Sequence, residues 1–477
     1  MEQMPFKQKK IGTTIAAIST AQGAGGVGMI RISGEHAREI ADRIFTSPHG
    51  KKIVQAKGYT ALYGNVHKPY DEGEQPEILD EAIALIFSGP ASFTGEDVVE
   101  LSCHGGLTIM KNVLRAVFEA GAVPAQPGEF TKRAFLNGKL GLTEAESVMQ
   151  LISAQGEQAV KVALAGHQGV LEQKIIHIRE MLITAAAHLS AWADYPEDDI
   201  PQLQPKVLKD NLYRANEQIE QLLSQFDAGK AIREGVNTVI AGRPNVGKST
   251  LMNLLSGCER SIVTQFAGTT RDIVEETVLL GDVPLCLADT AGIHQTNDPV
   301  ESIGVDKAKD RVKTAELVFA VFDSSRELSQ EDKMLMEELQ GVPAVAIVNK
   351  SDLQTVADLN YIKEKFSHVV FISAISGDGL KQLEESVADV LQTAKLNPSD
   401  GILSTERQRD AAQQAKDSLE EAIYALESGM TLDAVTVSIE GAISALLELT
   451  GERATEAVVD SVFAQFCVGI RFVFYTE

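Results

Sequence analysis

The sequence predicts a multidomain protein with three parts: an α+β N-terminal domain, an all-α helical bundle, and an α/β domain with a mostly parallel sheet inserted into that bundle. Short β-rich runs separated by glycine turns fill the chain to about Pro124, and helical periodicity occupies the segments on both sides of its middle. The middle itself alternates apolar runs with polar loop motifs. The predicted domains are residues 1–124, 125–234, 235–393 and 394–477, of which the second and fourth form one bundle.

In the N-terminal segment, alternating apolar and polar residues predict strands at Gly28–Ser33, Glu81–Phe87 and Asp97–Leu101. Residues Gly23–Gly28 also fit the dinucleotide pattern G-x-G-x-x-G, which requires a helix directly after it to receive a pyrophosphate. Because Met29–Ser33 alternate like a strand, we interpret these glycines as a tight loop between strands. NAD binding is therefore not expected there.

The helical segments start with Thr143 and Glu146, which are spaced as a capping box, and apolar residues then recur at helical spacing through Ala163. Helical character continues from Leu171 to Trp192, and three prolines interrupt it between Asp194 and Pro205. Further helices are predicted at Lys206–Lys230, Ser404–Glu427, Thr431–Thr450 and Thr455–Phe466.

A phosphate-binding pattern, G-x-x-x-x-G-K-[ST], occurs at Gly242–Ser249 (GRPNVGKS). The preceding Val236–Ala241 has the pattern of a buried strand and Ser249–Leu255 opens a helix, so phosphates would lie at a helix N-terminus. In such a loop the backbone N–H groups surround the phosphates, Lys248 contacts the outer phosphates and Ser249 binds Mg²⁺.

A base-recognition motif, Asn349–Asp352 (NKSD), follows the apolar run Ala344–Val348. The Asp352 carboxylate is suited to accept two hydrogen bonds from guanine N1 and the exocyclic amino group, a donor pair that adenine lacks. Asp289–Gly292 (DTAG) and Ser373-Ala374 complete the motif order of GTPases, which predicts a Ras-like domain. The alternative, that these residues only form surface turns, requires each motif to follow its strand by chance.

Hydrolysis needs a positioned water and positive charge near the outer phosphate. Small signalling GTPases have a glutamine after DTAG, whereas this chain has Ile293, which offers a water no hydrogen bond. Within Thr264–Asp272, Thr270 is predicted to supply a second Mg²⁺ ligand. Carbonyls of the same stretch, with the Asn245 side chain, are predicted to hold a monovalent cation against the phosphates, and the predicted cation ligands are Asn245, Thr264, Phe266 and Thr269. The predicted GTP contacts are Asn245, Val246, Gly247, Lys248, Ser249, Thr250, Thr264, Gln265, Phe266, Ala267, Gly268, Thr269, Thr270, Asp289, Thr290, Ala291, Gly292, Asn349, Lys350, Asp352, Ser373 and Ala374.

The composition is acidic: the 477 residues carry a net charge of −24. Because nucleic-acid phosphates favour Lys and Arg, the chain alone is expected to bind nucleic acid poorly. The four cysteines, Cys103, Cys258, Cys286 and Cys467, show neither a disulfide framework nor paired metal spacing, which predicts a cytoplasmic location. No apolar run is long enough to predict stable membrane insertion.

The sequence resembles the MnmE (TrmE) family of GTPases, which modify the wobble uridine of certain tRNAs. The resemblance includes Gly25–Gly34, Ser92–Gly106, Pro127–Glu146, Asp194–Ile200 and Gly268–Asp272. It implies a potassium-dependent GTPase that adds a carboxymethylaminomethyl or aminomethyl group to carbon 5 of that uridine. It also implies a homodimer held by the N-terminal domains, and a heterotetramer with the FAD-dependent protein MnmG (GidA) through which tRNA is mainly bound.

The resemblance implies further site residues. A 5-formyltetrahydrofolate or related tetrahydrofolate would bind as one-carbon donor near Arg31, Glu100 and Lys139. Glu301 matches the position that orients the attacking water through a second water, whereas the residue pattern alone indicates a solvated helix charge. Cys467 matches a cysteine proposed to be catalytic in a terminal Cys-x-Gly-Lys, in which Ile470 here replaces the lysine. A buried structural cysteine is the alternative.

A ribosome-assembly GTPase of the Era or EngA kind is the second function hypothesis, because these proteins share GRPNVGKS, GTTRD and NKSD. They need an RNA-binding module and usually a basic surface. The sequence shows neither a KH-type GxxG loop after the GTPase motifs nor a basic excess. A switch whose only output is binding is the third hypothesis.

Overall fold

The computed structural model describes residues 12–21, 23, 25–71, 73, 75–194, 205–257, 276–287, 315–464 and 466. The chain divides into two compact units, Met1–Met149 with Leu447–Glu477 and Gln150–Leu446. Among the helices within the described ranges, none is both long and apolar enough to cross a membrane.

The described secondary structure comprises strands and α-helices that we number in chain order. The strands are β1 Ile15–Ile18, β2 Gly28–Ser33, β3 Phe45–Thr46, β4 Thr60–His67, β5 Ile78–Phe87, β6 Val98–Cys103, β7 Val123–Pro124, β8 Val236–Ala241, β9 Glu276–Leu280, β10 Val283–Leu287, β11 Leu317–Asp323, β12 Ala344–Asn349 and β13 Val369–Ile372. The helices are α1 Ala37–Arg43, α2 Leu107–Glu119, α3 Glu129–Leu136, α4 Leu142–Ser153, α5 Glu157–His167, α6 Val170–Asp194, α7 Pro205–Ser224, α8 Phe226–Glu234, α9 Lys248–Gly257, α10 Gln330–Glu338, α11 Leu359–Lys365, α12 Leu380–Val390, α13 Glu406–Glu427, α14 Leu432–Thr450 and α15 Glu456–Ala464.

The first unit contains a sheet of seven described strands in the order β3-β4-β5-β6-β2-β1-β7. Neighbouring strands are antiparallel except β1 and β7. Alternation along the strands buries Ile30, Ile32 and Leu101 in a core with residues of α1 and α2, and it directs Arg31 and Glu100 to the opposite face. The predicted α+β class is confirmed, and β2 confirms that a strand follows the glycine loop.

The first unit also contains α3, the part of α4 up to Met149, and α15. Leu142 of α4 packs with Val459 and Phe463 of α15 in one buried cluster. The C-terminal part of the chain therefore returns to the unit that contains its N-terminal sheet.

The start of α4 differs from the prediction. The helix begins at Leu142, one residue before the proposed cap Thr143, and the Glu144 carboxylate accepts a hydrogen bond from the Gly141 N–H at 2.9 Å. Because Leu142 is fully buried in the cluster with α15, packing extends the helix past the position that local capping chemistry favours.

Helices of the second unit that precede the six-stranded sheet in sequence pack with helices that follow it. Helix α7 packs along α13, where Lys416 Nζ lies 3.1 Å from Glu220 Oε1. This contact agrees with the predicted bundle built from two chain segments. The single helix predicted at Lys206–Lys230 is observed as α7 and α8, separated at Gln225, and the break places Phe226 in a buried position.

The second unit also contains a sheet of six described strands in the order β13-β12-β11-β8-β10-β9. All neighbours are parallel except β9 and β10. Both faces are covered: Phe319 of β11 lies in one apolar cluster and Phe322 in another. The carboxyl ends of β8, β11, β12 and β13 lie at the same edge, where the predicted nucleotide motifs follow three of them.

Candidate nucleotide-binding site

The phosphate-binding loop connects β8 to α9 and is shaped by glycines in conformations that side chains rarely adopt. Gly242 has φ 151° and Gly247 has φ 100°. A Cβ on Gly242 would lie 2.5 Å from the Val321 carbonyl oxygen, and one on Gly247 would collide with the side-chain nitrogen of Asn349. The loop thus approaches its neighbours closely and leaves the first N–H groups of α9 available to an anion.

Lys248 lies across this loop. Its Nζ donates to the carbonyl oxygens of Gly242 at 2.6 Å and Arg243 at 2.9 Å. Burial lowers the pKa of Lys248, because desolvation disfavours the charged ammonium. Phosphate oxygens bound in the loop would stabilise the charged ammonium of Lys248. This arrangement is compatible with the predicted contact between Lys248 and the outer phosphates.

Asn349 connects three loops at the edge of the sheet. Its Nδ2 donates to the Val246 carbonyl at 2.8 Å, and its Oδ1 accepts from the Ala374 N–H at 3.1 Å. Asn349 is 2% exposed, whereas Asp352 is exposed on the same loop. The predicted base-recognition motif therefore contains a buried residue that joins the loops, Asn349, and an exposed carboxylate, Asp352.

Lys350 forms a second connection between the loops. In its left-handed backbone conformation, φ 63°, its Nζ donates to the Asn245 carbonyl at 3.1 Å and to Asp323 Oδ2 at 2.6 Å. Burial raises the pKa of Asp323, but hydrogen bonds from Lys350 and Ser325 outweigh this effect and leave the pKa below its ordinary value. Asp323 therefore remains an anion that anchors Lys350.

Sequence reasoning missed Asp323. The available signal was a single acidic residue at the end of the otherwise apolar strand β11, next in the sheet to β8 and β12. A carboxylate at the carboxyl end of a buried parallel strand lies at the ligand edge of the sheet, which distinguishes it from an ordinary surface charge.

Several predicted positions lie outside the described residues. These are Thr264, Gln265, Phe266, Ala267, Gly268, Thr269, Thr270, Asp289, Thr290, Ala291, Gly292, Ile293, Glu301 and Cys467. Ser249 and Thr250 are described, at the exposed start of α9, and Ser373 is buried beside Ala374.

Of the three residues predicted to bind a folate, two contact one loop of the first unit and the third pairs with one of them. Arg31 and Glu100 lie opposite each other on β2 and β6, and Arg31 Nε donates to Glu100 Oε1 at 2.8 Å. The Arg31 guanidinium also lies 5.4 Å from the ring centre of Phe93. Lys139 Nζ donates to the Pro90 carbonyl at 3.0 Å. Arg31 and Lys139 thus contact the same loop, between β5 and β6.

Comparison with known proteins relates the two units to one family. The chain matches the family models described as "MnmE helical domain" over residues 142–467 and "GTP-binding protein TrmE N-terminus" over residues 14–139. It is 41% identical over 462 residues to the tRNA modification GTPase MnmE of Alkaliphilus oremlandii, with 96% of this chain and 99% of that protein covered. The tRNA modification GTPase MnmE of Geobacillus kaustophilus is 41% identical over 460 residues, with the same coverage, 96% and 99%.

A partial similarity exists to a solved structure of another GTPase. A crystal structure of an Aquifex aeolicus Era variant, bound to GDP and aluminium fluoride, is 27% identical, covers 38% of this chain and 66% of its own, and has a TM-score of 0.26. The similarity to the two MnmE proteins covers 96% of this chain.

Proposed function

Because the chain belongs to the MnmE family of tRNA modification GTPases, we propose that it is a potassium-dependent GTPase that, with an FAD-containing partner, modifies carbon 5 of the wobble uridine in certain tRNAs. GTP hydrolysis in this proposal drives domain closure and not the bond-making itself. The added group is carboxymethylaminomethyl or aminomethyl, and the one-carbon donor is a tetrahydrofolate. The GTPase domain in this proposal is residues 235–393, between helical segments 125–234 and 394–477, after an N-terminal domain of residues 1–124.

The arrangement of Asn349 is the observation that carries the proposal. Its contacts to Val246 and Ala374 hold the phosphate loop, the base loop and the Ser373-Ala374 loop together. A guanine nucleotide then places its base beside Asp352 and its phosphates against the N–H groups at the start of α9. Lys248 exchanges its carbonyl partners for phosphate oxygens when the nucleotide binds.

The metal ions are part of the proposal. Ser249 and Thr270 hold Mg²⁺, and Asn245, Thr264, Phe266 and Thr269 hold potassium, which together offset negative charge on the phosphates during hydrolysis. Asn245 fits this role because it is exposed in a left-handed conformation, φ 66°, while its carbonyl is held by Lys350. Glu301 orients the attacking water in place of the glutamine that Ile293 replaces.

Modification in this proposal requires partners. The full-length protein forms a homodimer, and it acts in the cytoplasm with the FAD-dependent MnmG (GidA). Because the chain has a net charge of −24, it is poorly suited to bind tRNA phosphates by itself. In this proposal tRNA is bound mainly by the complex. The folate lies near Arg31, Glu100 and Lys139, and Cys467 is the proposed nucleophile.

The experiment is GTP turnover by the full-length protein in potassium and sodium chloride at matched ionic strength. We expect faster turnover in potassium. Asn245→Gly, which tolerates the left-handed backbone but lacks the side-chain oxygen, is expected to reduce that advantage. Equal rates in the two salts would contradict the cation site. The Era-like alternative is weaker, because the MnmE similarity covers 96% of the chain.

A further inference from the structure

Arg133 is a buried arginine at the centre of a hydrogen-bonded cluster in the first unit. It lies on α3 with its side chain 0% exposed. Its Nη1 donates to the Thr13 carbonyl at 2.8 Å and to the two carboxylate oxygens of Glu96 at 3.2 and 3.1 Å. Its Nη2 donates to Glu129 Oε1 at 2.8 Å and to Thr13 Oγ1 at 3.2 Å. One guanidinium therefore joins α3, the residues before β1 and the loop before β6.

Stability alone is a poor explanation for this arginine. Removing a guanidinium from water is costly, and apolar residues of similar volume often replace a buried ion pair without loss of stability. The cluster places the carboxylates of Glu96 and Glu129 around a single cation, and within the described structure Arg133 Nε has no hydrogen-bond partner. Because burial of the Arg133 guanidinium costs desolvation energy, we explain its presence by the positions in which it holds Glu96, Glu129 and Thr13.

Glu96 connects the Arg133 cluster to the loop between β5 and β6. The Ser33 hydroxyl donates to Glu96 Oε2 at 2.8 Å and lies 2.7 Å from Thr94 Oγ1. Asn137, which follows α3, donates from Nδ2 to the Thr94 carbonyl at 2.7 Å. Thr94 is 0% exposed. Hydrogen bonds therefore connect this loop to Arg133 of α3 through Glu96, and to Asn137 through Thr94.

Phe93 is adjacent to these hydrogen-bonded residues and faces the proposed folate site. The Arg31 guanidinium carbon lies 5.4 Å from the ring centre of Phe93 and 5.6 Å from that of Phe130. Phe93 is 40% exposed, so part of its ring is available to a ligand. Together with Arg31, the two rings offer planar surfaces of the kind that stack on aromatic heterocycles.

We propose that Arg133 is a positioning residue for the folate site. Through Glu96 and Thr94 it holds Phe93 against Arg31, and this wall contacts the flat pterin ring of the bound tetrahydrofolate. The inference rests on the proposed one-carbon donor. Arg133 is buried away from the ligand, and its effect is on the affinity of the site.

The test measures binding of 5-formyltetrahydrofolate to the full-length protein by calorimetry. Arg133→Lys keeps the charge but loses the forked contacts to Glu96, Glu129 and Thr13. We expect its affinity to fall by roughly tenfold, as is common when a residue that orients a ligand-binding group is replaced. The matched control is Val113→Ala, which removes buried methyl groups from the same unit. It is expected to lower the melting temperature and leave folate affinity unchanged.

A fluorescence measurement tests the positioning step without ligand. The chain has one tryptophan, so Phe93→Trp adds a second whose emission reports on this loop. We expect the emission to shift when Arg133→Lys is added to Phe93→Trp. Should Arg133→Lys unfold the unit, Glu96→Gln, which keeps the Arg133 contacts to Thr13 and Glu129, replaces it in both measurements.

The outcomes separate this inference from the folate proposal. Wild-type affinity in Arg133→Lys, an equal loss of affinity in Val113→Ala, or unchanged emission from the Phe93→Trp reporter would overturn the positioning role and leave the folate donor in place. Absence of 5-formyltetrahydrofolate binding by the wild-type protein would overturn the folate donor, and this role with it.

Discussion

Asn349 donates from its side-chain amide to the main-chain carbonyl of Val246 at 2.8 Å, which ties the loop after β12 to the phosphate-binding loop after β8. These residues are 103 positions apart in sequence. The contact fixes the separation between the part of the site suited to a base and the part suited to phosphates. We therefore expect this hydrogen bond to support binding of the proposed guanine nucleotide.

Asn349→Ala tests this connection. The substitution leaves the Val246 carbonyl and the Ala374 N–H without their side-chain partner, and each buried polar group left unpaired costs about 1–3 kcal/mol. We expect GTP and GDP affinity to fall by about 10- to 100-fold, measured with a fluorescent nucleotide. Asn360→Ala, at an exposed position of α11, is the control and should bind as the wild type does. Unchanged affinity in Asn349→Ala would contradict the role of the connection.

Asp352→Asn tests recognition of guanine. A carboxylate accepts from guanine N1 and the amino group, whereas an amide matches xanthine, which has a carbonyl in place of that amino group. Loss of charge-assisted hydrogen bonds, about 1.5–3 kcal/mol each, should weaken GTP binding by roughly 100-fold. We expect xanthosine triphosphate to bind the variant more tightly than GTP does. If the variant still preferred GTP over xanthosine triphosphate, Asp352 would not be the base contact.

Arg31→Lys tests the proposed folate site. Lysine keeps the positive charge but lacks the planar fork and stacks poorly between aromatic rings, so a loss of about 1–2 kcal/mol is expected. The corresponding drop in 5-formyltetrahydrofolate affinity is roughly tenfold. Arg43→Lys, in the same unit but bonded to the Ala120 carbonyl at 2.9 Å, is the control. Equal affinities of Arg31→Lys and Arg43→Lys for 5-formyltetrahydrofolate would show that Arg31 does not contribute to the folate site.

His104 predicts a pH dependence of stability in the first unit. Its Nδ1 lies 2.6 Å from Asp80 Oδ1, and this hydrogen bond and the charge of Asp80 raise the pKa of His104 above 6.5. A histidine pKa raised by folding gives stabilisation that is complete below 6.5 and disappears as pH rises through the folded-state pKa. The wild type should therefore exceed His104→Gln in melting temperature by a margin that shrinks with rising pH.

The control for this pH effect removes its cause. In an Asp80→Asn background, the difference in melting temperature between His104 and His104→Gln should change much less with pH over the same range, because only the charge of Glu81 then still raises the pKa of His104. A constant margin in the original background, from about pH 6 to about pH 9, would show that Asp80 does not couple to His104.

The elements that the sequence predicted well are those with a strong local pattern. The apolar run Val236–Ala241 became β8, and the GKS sequence after it starts α9, because phosphate chemistry demands fixed residue types at a fixed spacing. Element ends were predicted less well. The break at Gln225 and the early start of α4 at Leu142 depend on which side chains distant segments bury, and no window of adjacent residues contains that information.

The residue chemistry of the chain specified a guanine-nucleotide motif set, an acidic surface and an alternation that separates core from exposed positions. Which groups pair with individual charged side chains was decided only by the tertiary structure. Lys350 meets Asp323 across 27 residues and Arg133 meets Thr13 across 120, because packing of strands and helices brings these groups to one place. A motif constrains neighbours along the chain, whereas burial and charge pairing are settled between elements that the chain connects only through the complete fold.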